Sequence, residues 1–155
     1  MKTKTYFLPA FIAFLLISCQ QGNVYSKFDN GFSNNRWEKT NTKTYDFSIE
    51  DETKQYNIVL RFGHVYDYQF ATVPIVIMIT DPSGKEEKIA VPLKIKDDSG
   101  KQLGECAGDI CDVSFTVKNK VNLAKGNYKV TISNSFNGPY LPNVLGIGLD
   151  VEIAE

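Results

Sequence analysis

Residues 56–62 read Tyr56-Asn57-Ile58-Val59-Leu60-Arg61-Phe62, with a large apolar side chain at every second position. Residues 145–153 repeat this pattern, with apolar residues at the odd-numbered positions. Because successive side chains of a β-strand point to opposite faces, this spacing predicts strands that bury one face in a core. Arg61, Asp150 and Glu152 should then point away from that core.

Similar short patterns continue along the chain, and none repeats apolar residues at the period of about 3.6 that is typical of an amphipathic helix. The run 73–79 is nearly continuously apolar, which predicts a central strand covered on both faces. Residue content predicts strands over these segments: 24–28, 44–49, 56–62, 73–80, 87–93, 113–118, 128–133 and 145–153.

Turn signals separate these segments. Asp81-Pro82-Ser83-Gly84 predicts a hairpin, and residues 97–101 and 125–127 predict two further reversals. Gly126-x-Tyr128 is typical of the entry to a late sandwich strand, where the tyrosine hydroxyl pins a corner. About eight short strands joined in this way predict an all-β fold over residues 24–155, a single antiparallel β-sandwich of immunoglobulin-like or jelly-roll type.

The composition excludes several classes of protein. Among 155 residues, 17 basic and 18 acidic side chains leave a net charge of −1, and without a basic block we expect no nucleic-acid partner. One His and three Cys offer few metal ligands, and no phosphate-binding glycine loop or nucleophile elbow appears. We therefore expect no cofactor, no metal site and no catalytic residues, so that the protein is not an enzyme.

The start of the chain has the form of a bacterial lipoprotein signal peptide. Two lysines precede an uncharged apolar run over residues 6–17, which is too short to span a bilayer. The run ends in Leu16-Ile17-Ser18-Cys19, which has the form of a lipobox. We predict a signal peptide over residues 1–18, cleavage between Ser18 and Cys19, and fatty acylation (palmitate) of the Cys19 thiol and the freed amine.

Acylated Cys19 would hold the protein at a membrane, with residues 19–23 as a short tether. Each buried methylene adds about 0.8 kcal/mol, and stable anchoring needs more than one acyl chain. Gln20 and Gln21 follow Cys19 where an acidic residue would favour retention at the inner membrane. No acidic cluster of the kind that directs some lipoproteins to the cell exterior follows either. We therefore expect the outer membrane, with the protein facing the periplasm.

Cys106 and Cys111 enclose Ala107-Gly108-Asp109-Ile110. Two thiols this close in an exported protein favour a structural disulfide, with a reduced pair or a functional site as the alternatives. A redox site more often has the spacing Cys-x-x-Cys, and zinc would need two further ligands. Closing so short a loop should stabilise the fold by roughly 2 kcal/mol.

The remaining polar candidates have ordinary structural interpretations. His64 is the only imidazole, and no nucleophile and carboxylate can be singled out to complete a triad, so we interpret it as a loop residue after Gly63. Asp97, Asp98 and Asp109 lie in turns without the spacing of a dedicated calcium site, and we interpret them as solvated.

Four aromatic residues leave two interpretations open. Tyr66, Tyr68 and Phe70 alternate, so they would share one face of an extended segment. On an exposed face they would form a platform on which sugar rings stack, whereas on an inward face they would belong to the core. Trp37 is equally open, because it could close the edge of the sandwich or anchor a partner.

Taken in order, a series of motifs covers almost the whole chain. They are the lipobox, Val24-Tyr25-x-x-Phe28, Trp37, Tyr56-Asn57-Ile58-x-Leu60-Arg61 with Tyr66 and Tyr68, Asp81-Pro82-x-Gly84, Gly100-Lys101-x-Leu103-Gly104, Gly126-Asn127-Tyr128 and Leu145-Gly146-Ile147-x-Leu149-x-Val151. In this order and spacing the chain resembles the gliding-motility lipoproteins of the GldH type. The resemblance does not extend to the Cys106 and Cys111 pair.

The resemblance implies an envelope lipoprotein associated with surface gliding and with the type IX secretion apparatus, with only the lipidated Cys19 to carry over as a functional residue. Our leading hypothesis is a non-enzymatic, membrane-tethered β-sandwich that contacts motility or secretion proteins of the envelope. The alternative is a glycan-binding module that uses the exposed aromatic residues among Trp37, Tyr66, Tyr68 and Phe70. A third hypothesis is an envelope hydrolase that uses His64.

Overall fold

The computed structural model describes residues 22–155, so the predicted signal peptide and Cys19 lie outside the described residues. Over that range the chain forms short and medium β-strands and no α-helix. The elements in chain order are β1 (Asn23–Asp29), a 3-10 turn (Ser33–Asn35), β2 (Arg36–Glu38), β3 (Lys43–Ile49), β4 (Gln55–Val65), β5 (Thr72–Thr80), β6 (Glu86–Lys94), β7 (Glu105–Ala107), β8 (Ile110–Asn122), β9 (Gly126–Asn134), β10 (Tyr140–Pro142) and β11 (Val144–Ile153).

The strands of the described chain form two main antiparallel sheets. The five-stranded sheet has the order β1-β11-β4-β8-β7, and the four-stranded sheet has the order β3-β9-β5-β6. The short strands β2 and β10 pair separately. The predicted antiparallel β-sandwich is confirmed, and each predicted strand is present. The count rises to eleven because β2, β7 and β10, with three residues each, are too short to show an alternating pattern.

The alternation that predicts the core is largely confirmed. The four alternating apolar side chains Tyr56, Ile58, Leu60 and Phe62 are buried. Arg61 on the opposite face lies 3.7 Å from Asp150, measured from Nε to Oδ2. In β11 the odd-numbered pattern fails at its first position. The register shifts between Val144 and Gly146, which places Val144 in the core and leaves Leu145 half-exposed.

The prediction that residues 73–79 are covered on both faces is wrong. β5 is a central strand, between β9 and β6, and its odd-numbered side chains are buried. Its even-numbered side chains Pro74, Val76 and Met78 are half-exposed. Each sheet of a two-layer sandwich packs on one partner only, so the outer face of a central strand stays at the surface.

Tyrosine hydroxyl groups connect the strands through backbone carbonyls. The Tyr45 hydroxyl, inside the core, donates to the Ile147 carbonyl at 2.9 Å and thereby joins the two sheets. Burial raises the pKa of Tyr45 well above its ordinary value, so this hydroxyl stays a donor. The Tyr128 hydroxyl donates to the Ala124 carbonyl at 3.2 Å, which confirms the corner predicted from the Gly126-x-Tyr128 spacing.

Phe28 of β1 lies over glycines of the neighbouring strands on the outer face of the five-stranded sheet. A Cβ atom at Gly146 would stand 2.2 Å from Phe28 Cε1, and one at Gly148 would stand 2.7 Å from Phe28 Cδ2. The Arg61 guanidinium covers the same ring, with 5.0 Å between Cζ and the ring centroid. Gly146 and Gly148 of β11 therefore leave room for the Phe28 ring.

We expect Gly146→Ala to lower the free energy of unfolding by about 1–3 kcal/mol, because the added methyl group overpacks the contact with Phe28. Gly31→Ala is the matched control, since a Cβ at Gly31 would meet no atom within 4 Å. The control should change stability by less than about 0.5 kcal/mol. Urea denaturation of the two purified variants measures the difference, and equal midpoints would contradict the expected clash.

Candidate functional site

The two ends of the sandwich present different features. At one end, the Ile153 amide donates to the Gly22 carbonyl at 2.8 Å, which places the start of the described chain beside the end of β11. The turns at 50–54, 81–85 and 123–125 lie at this same end, which we name the N-terminal end. β4 spans 11 residues, so the opposite end lies roughly 33 Å away.

The opposite end carries an aromatic cluster. The Tyr68 ring lies 5.9 Å from Phe62 and 5.8 Å from Phe70 between centroids, and Phe70 lies 5.0 Å from Phe136. Tyr68 is fully buried, and its hydroxyl donates to the Pro142 carbonyl at 3.0 Å. Burial raises the pKa of Tyr68, so this hydroxyl also remains a structural donor.

The predicted face shared by Tyr66, Tyr68 and Phe70 does not form. Asp67 has φ of 51°, which interrupts the extended backbone just after β4. Tyr66 is 58% exposed, Tyr68 is buried and Phe70 is half-buried. Without a common exposed face, the three rings do not form a platform for sugar stacking.

Trp37 belongs to the core. Its side chain is fully buried, its ring lies 5.7 Å from Phe32 between centroids, and its Nε1 donates to the Asn41 carbonyl at 2.6 Å. Of the two interpretations left open by the sequence, the structure favours closure of the sandwich. The glycan-binding alternative thereby loses Trp37 as well as Tyr68.

The interpretation of His64 as a loop residue is wrong. His64 lies in β4, is fully buried, and its Nδ1 is 2.7 Å from the Val65 carbonyl, so Nδ1 carries the proton. Within residues 22–155 its Nε2 has no hydrogen-bond partner. Burial lowers the pKa of His64, against the raising effects of the Val65 hydrogen bond and of Asp112. The ring is therefore a neutral part of the core.

Because burial lowers the pKa of His64 on folding, the protein should lose stability as the pH falls below the ordinary histidine pKa of 6.5, where the unfolded state binds the proton more readily than the folded state does. Denaturant melts between pH 7.5 and pH 5 measure this slope. His64→Gln removes the titration and should flatten that part of the profile, while other groups keep theirs. Parallel profiles for the two proteins would contradict a buried neutral histidine.

The β7–β8 hairpin brings Cys106 opposite Cys111, and the two form a disulfide with 4.0 Å between their Cα atoms. Gly108, with φ of 61°, lies in the turn between them. Cys111 is buried opposite His64 in the sheet register, whereas Cys106 is exposed. This arrangement closes the hairpin.

Mass spectrometry of the non-reduced protein should find Cys106 joined to Cys111. Replacing both cysteines by serine should lower the free energy of unfolding by roughly 2 kcal/mol, since the closed loop is short. Two thiols that alkylate without prior reduction would contradict the bond.

Four exposed apolar side chains lie around this hairpin. Leu103 precedes β7, Ile110 begins β8 and Phe115 lies further along β8. Tyr66 is the fourth, and it lies beside the turn of the hairpin, where its amide donates to the Asp109 carbonyl at 2.9 Å. We name these four residues the hairpin patch; they are 51%, 55%, 38% and 58% exposed respectively. In residues 22–155, Val24 is the other large apolar side chain with such exposure.

Sequence reasoning singles out Tyr66 in this patch but not Leu103, Ile110 or Phe115. Val113, Phe115 and Val117 alternate like core residues, and no local pattern reveals that part of β8 lies beyond the cover of the second sheet. Ile110 and Phe115 lie on opposite faces of β8, and large apolar side chains exposed in one region of a surface are a feature of interaction sites.

The part of the chain that the structure describes has no helix long and apolar enough to cross a bilayer. In the same part, no group of three or more His, Cys, Asp or Glu side chains is placed to hold a metal ion.

Comparison with known families gives a match over nearly all of the described chain. The family model described as GldH lipoprotein matches residues 23–151. The chain belongs to the GldH lipoprotein family. The GldH resemblance inferred from the motifs is thereby confirmed. A relative from Flavobacterium johnsoniae, the gliding motility lipoprotein GldH, is 27% identical over 135 residues, which cover 87% of this GldH-family chain and 83% of the relative.

A crystal structure of an exo-beta-1,3-galactanase from Phanerochaete chrysosporium, bound to beta-1,3-galactotriose, aligns with the GldH-family chain at 14% identity and a TM-score of 0.37. The alignment covers 83% of this chain and 27% of the galactanase. This similarity is too low to assign a common fold or an activity.

Proposed function

We propose that this GldH-family protein is a lipid-anchored envelope component of gliding motility, and that it acts through contacts with other proteins and not by catalysis. The observation that carries the proposal is the family match over residues 23–151. The relative of this chain in Flavobacterium johnsoniae is named a gliding motility lipoprotein. Contacts with the motility machinery, and with the type IX secretion apparatus, are part of the proposal.

The contacts of the reactive side chains support a role without catalysis. The His64 Nδ1 atom bonds the Val65 carbonyl inside the core. Cys106 and Cys111 are joined to each other. These groups serve the fold, whereas the exposed apolar side chains of the hairpin patch are of the type that proteins bury when they associate.

The lipobox and the geometry together support a specific orientation. With acyl chains on Cys19, the short segment up to Gly22 would keep the N-terminal end close to the bilayer. The β7–β8 hairpin lies at the other end of β4, roughly 33 Å away, so the hairpin patch would face away from that membrane. We place the anchor in the outer membrane and the hairpin patch in the periplasm.

A deletion strain complemented by the wild-type gene tests the proposal. Deletion should abolish surface spreading and the gliding of single cells, and complementation should restore both. Affinity purification of the intact lipoprotein should recover motility or type IX secretion components, with a lipoprotein of unrelated family as the control bait. Normal gliding of the deletion strain, or reproducible absence of those components, would contradict the proposal.

A further inference from the structure

β8 has a free sheet edge beside the hairpin patch. β7 pairs with β8 only at residues 110–112, and within residues 22–155 no strand pairs with residues 113–117 on that side. The Tyr66 amide donates to the Asp109 carbonyl, so Tyr66 and Asp109 form a hydrogen-bonded pair between the two chain segments. Hydrogen-bonded pairs recur at every second residue, so the backbone N–H and C=O groups of the odd-numbered residues of β8 point toward β4. The backbone groups of Ser114 and Thr116 therefore point away from the sheet.

This edge lacks the protection that the neighbouring sheet edge has. In β6 the Ile95 amide donates to the Ala71 carbonyl, on the β5 side. Because backbone groups of successive residues point to alternate sides of a strand, those of the even-numbered residues point away from β5; these are Lys88, Ala90, Pro92 and Lys94. Proline cannot donate to an added strand, and exposed lysines discourage edge-to-edge pairing. The outward-facing β8 pair, Ser114 and Thr116, includes neither proline nor charge.

An apolar groove of about 290 Å³ runs between β6 and this edge of β8. Its walls include Leu93, Leu103 and Phe115, and Lys94 is the charged residue among those that line it. Phe115 lies opposite Leu60 on the inner face of the sheet, yet it is 38% exposed because the second sheet does not cover it. Side chains of an added strand would complete this part of the core.

We propose that residues 113–117 of β8 bind an extended segment of a partner protein as an added β-strand. Only an extended chain presents backbone donors and acceptors at the two-residue spacing that Ser114 and Thr116 offer. Every second side chain of that segment would lie in the groove and would be apolar, with an acidic side chain near Lys94. Lys94 is available, since its ion pair with Asp98 is long, at 3.8 Å, and exposed.

A second copy of this chain fits the edge less well than a foreign segment. Antiparallel pairing of two β8 strands about Phe115 would set residue 118 of one copy beside residue 112 of the other. That position is already taken, because Glu105 of β7 pairs with Asp112. The inference rests on the proposed function, because it specifies how the proposed partner protein of the envelope binds.

Photo-crosslinking in living cells tests the inference on the full-length lipoprotein. Benzoylphenylalanine replaces Thr116 at the free edge, or Thr44 on the exposed face of β3 as the control. Crosslinks from position 116 should map by mass spectrometry to one extended segment with alternating apolar residues in one envelope protein. Yields no higher than from position 44, or crosslinks to lipid, to a second copy or to a helix, would overturn the inference.

A proline variant tests whether backbone hydrogen bonds hold the segment. Ser114→Pro removes the outward-pointing N–H donor of β8, as Pro92 does in β6, and it should lower the crosslinking yield about tenfold. Ser114→Ala keeps this N–H group, so its crosslinking yield should stay within about twofold of the wild-type value. Leu103→Asp should also weaken crosslinking, with Val24→Asp as the exposed apolar control. Equal yields for Ser114→Pro and Ser114→Ala would contradict strand addition.

The controls separate this inference from the proposed function. Each variant must match the wild-type protein in thermal melting and in membrane fractionation before its crosslinking yield is compared. Crosslinks that map to another face, in a strain whose gliding still requires the protein, would overturn the β8 assignment and leave the proposed function standing. Normal gliding of the deletion strain would contradict the proposed function, whatever position 116 contacts.

Discussion

Trp37→Ala is expected to lower the free energy of unfolding by about 3–5 kcal/mol, because it leaves a large cavity in the core. Trp37 is fully buried beside Phe32, and the substitution also leaves the Asn41 carbonyl without its indole donor. Domains of this kind are stable by about 5–15 kcal/mol, so the loss is a large part of the total. Urea denaturation followed by circular dichroism measures it.

Tyr66→Ala is the matched control, since it removes an aromatic ring of similar size that is 58% exposed. It should change the free energy of unfolding by less than about 0.5 kcal/mol. Trp37→Phe keeps most of the apolar volume and should fall between the two. Comparable losses for Tyr66→Ala and Trp37→Ala would show that Trp37 does not close the core.

Cys19→Ala should abolish the processed, membrane-anchored form of the protein. Without the thiol there is no site for the diacylglyceryl group, and without the lipid the sandwich loses the hydrophobic burial of its acyl chains, about 0.8 kcal/mol per methylene. An unprocessed or soluble precursor should accumulate. Gel mobility, membrane fractionation and incorporation of radiolabelled palmitate measure the change.

Cys106→Ser serves as the control, because Cys106 is exposed in the β7–β8 hairpin and lies far along the chain from the lipobox. This variant should incorporate palmitate and fractionate with membranes like the wild-type protein. Retention of the label or of membrane association by Cys19→Ala would contradict the anchor, and with it the orientation proposed for the hairpin patch.

The strands were predictable because their signals are local. Alternating side chains in residues 56–62 and the turn at Asp81-Pro82-Ser83-Gly84 each depend on neighbouring residues only, and both are found as predicted. The first residues of β11 were harder to place, because the register shift beside Gly146 puts Val144 in the core instead of Leu145. Such a shift depends on the partner strand.

The candidate site was predicted less well, for a related reason. Alternation of Tyr66, Tyr68 and Phe70 predicts one face, but Asp67 turns the backbone and separates the rings. His64 follows a glycine and looks like a loop residue, whereas pairing with β8 and β11 keeps it within a buried strand. In both cases the local pattern does not include the contacts that decide exposure.

By itself the sequence determined that this chain is an all-β protein with the motif order of its family, and it predicts a lipobox at residues 16–19. Those properties depend on residue type and spacing along the chain. Only the tertiary structure decided which aromatic rings are buried and that residues 113–117 of β8 form a free edge beside an apolar groove. Exposure and unpaired backbone groups depend on how far each sheet extends over the other, and that is set by contacts between residues distant in the chain.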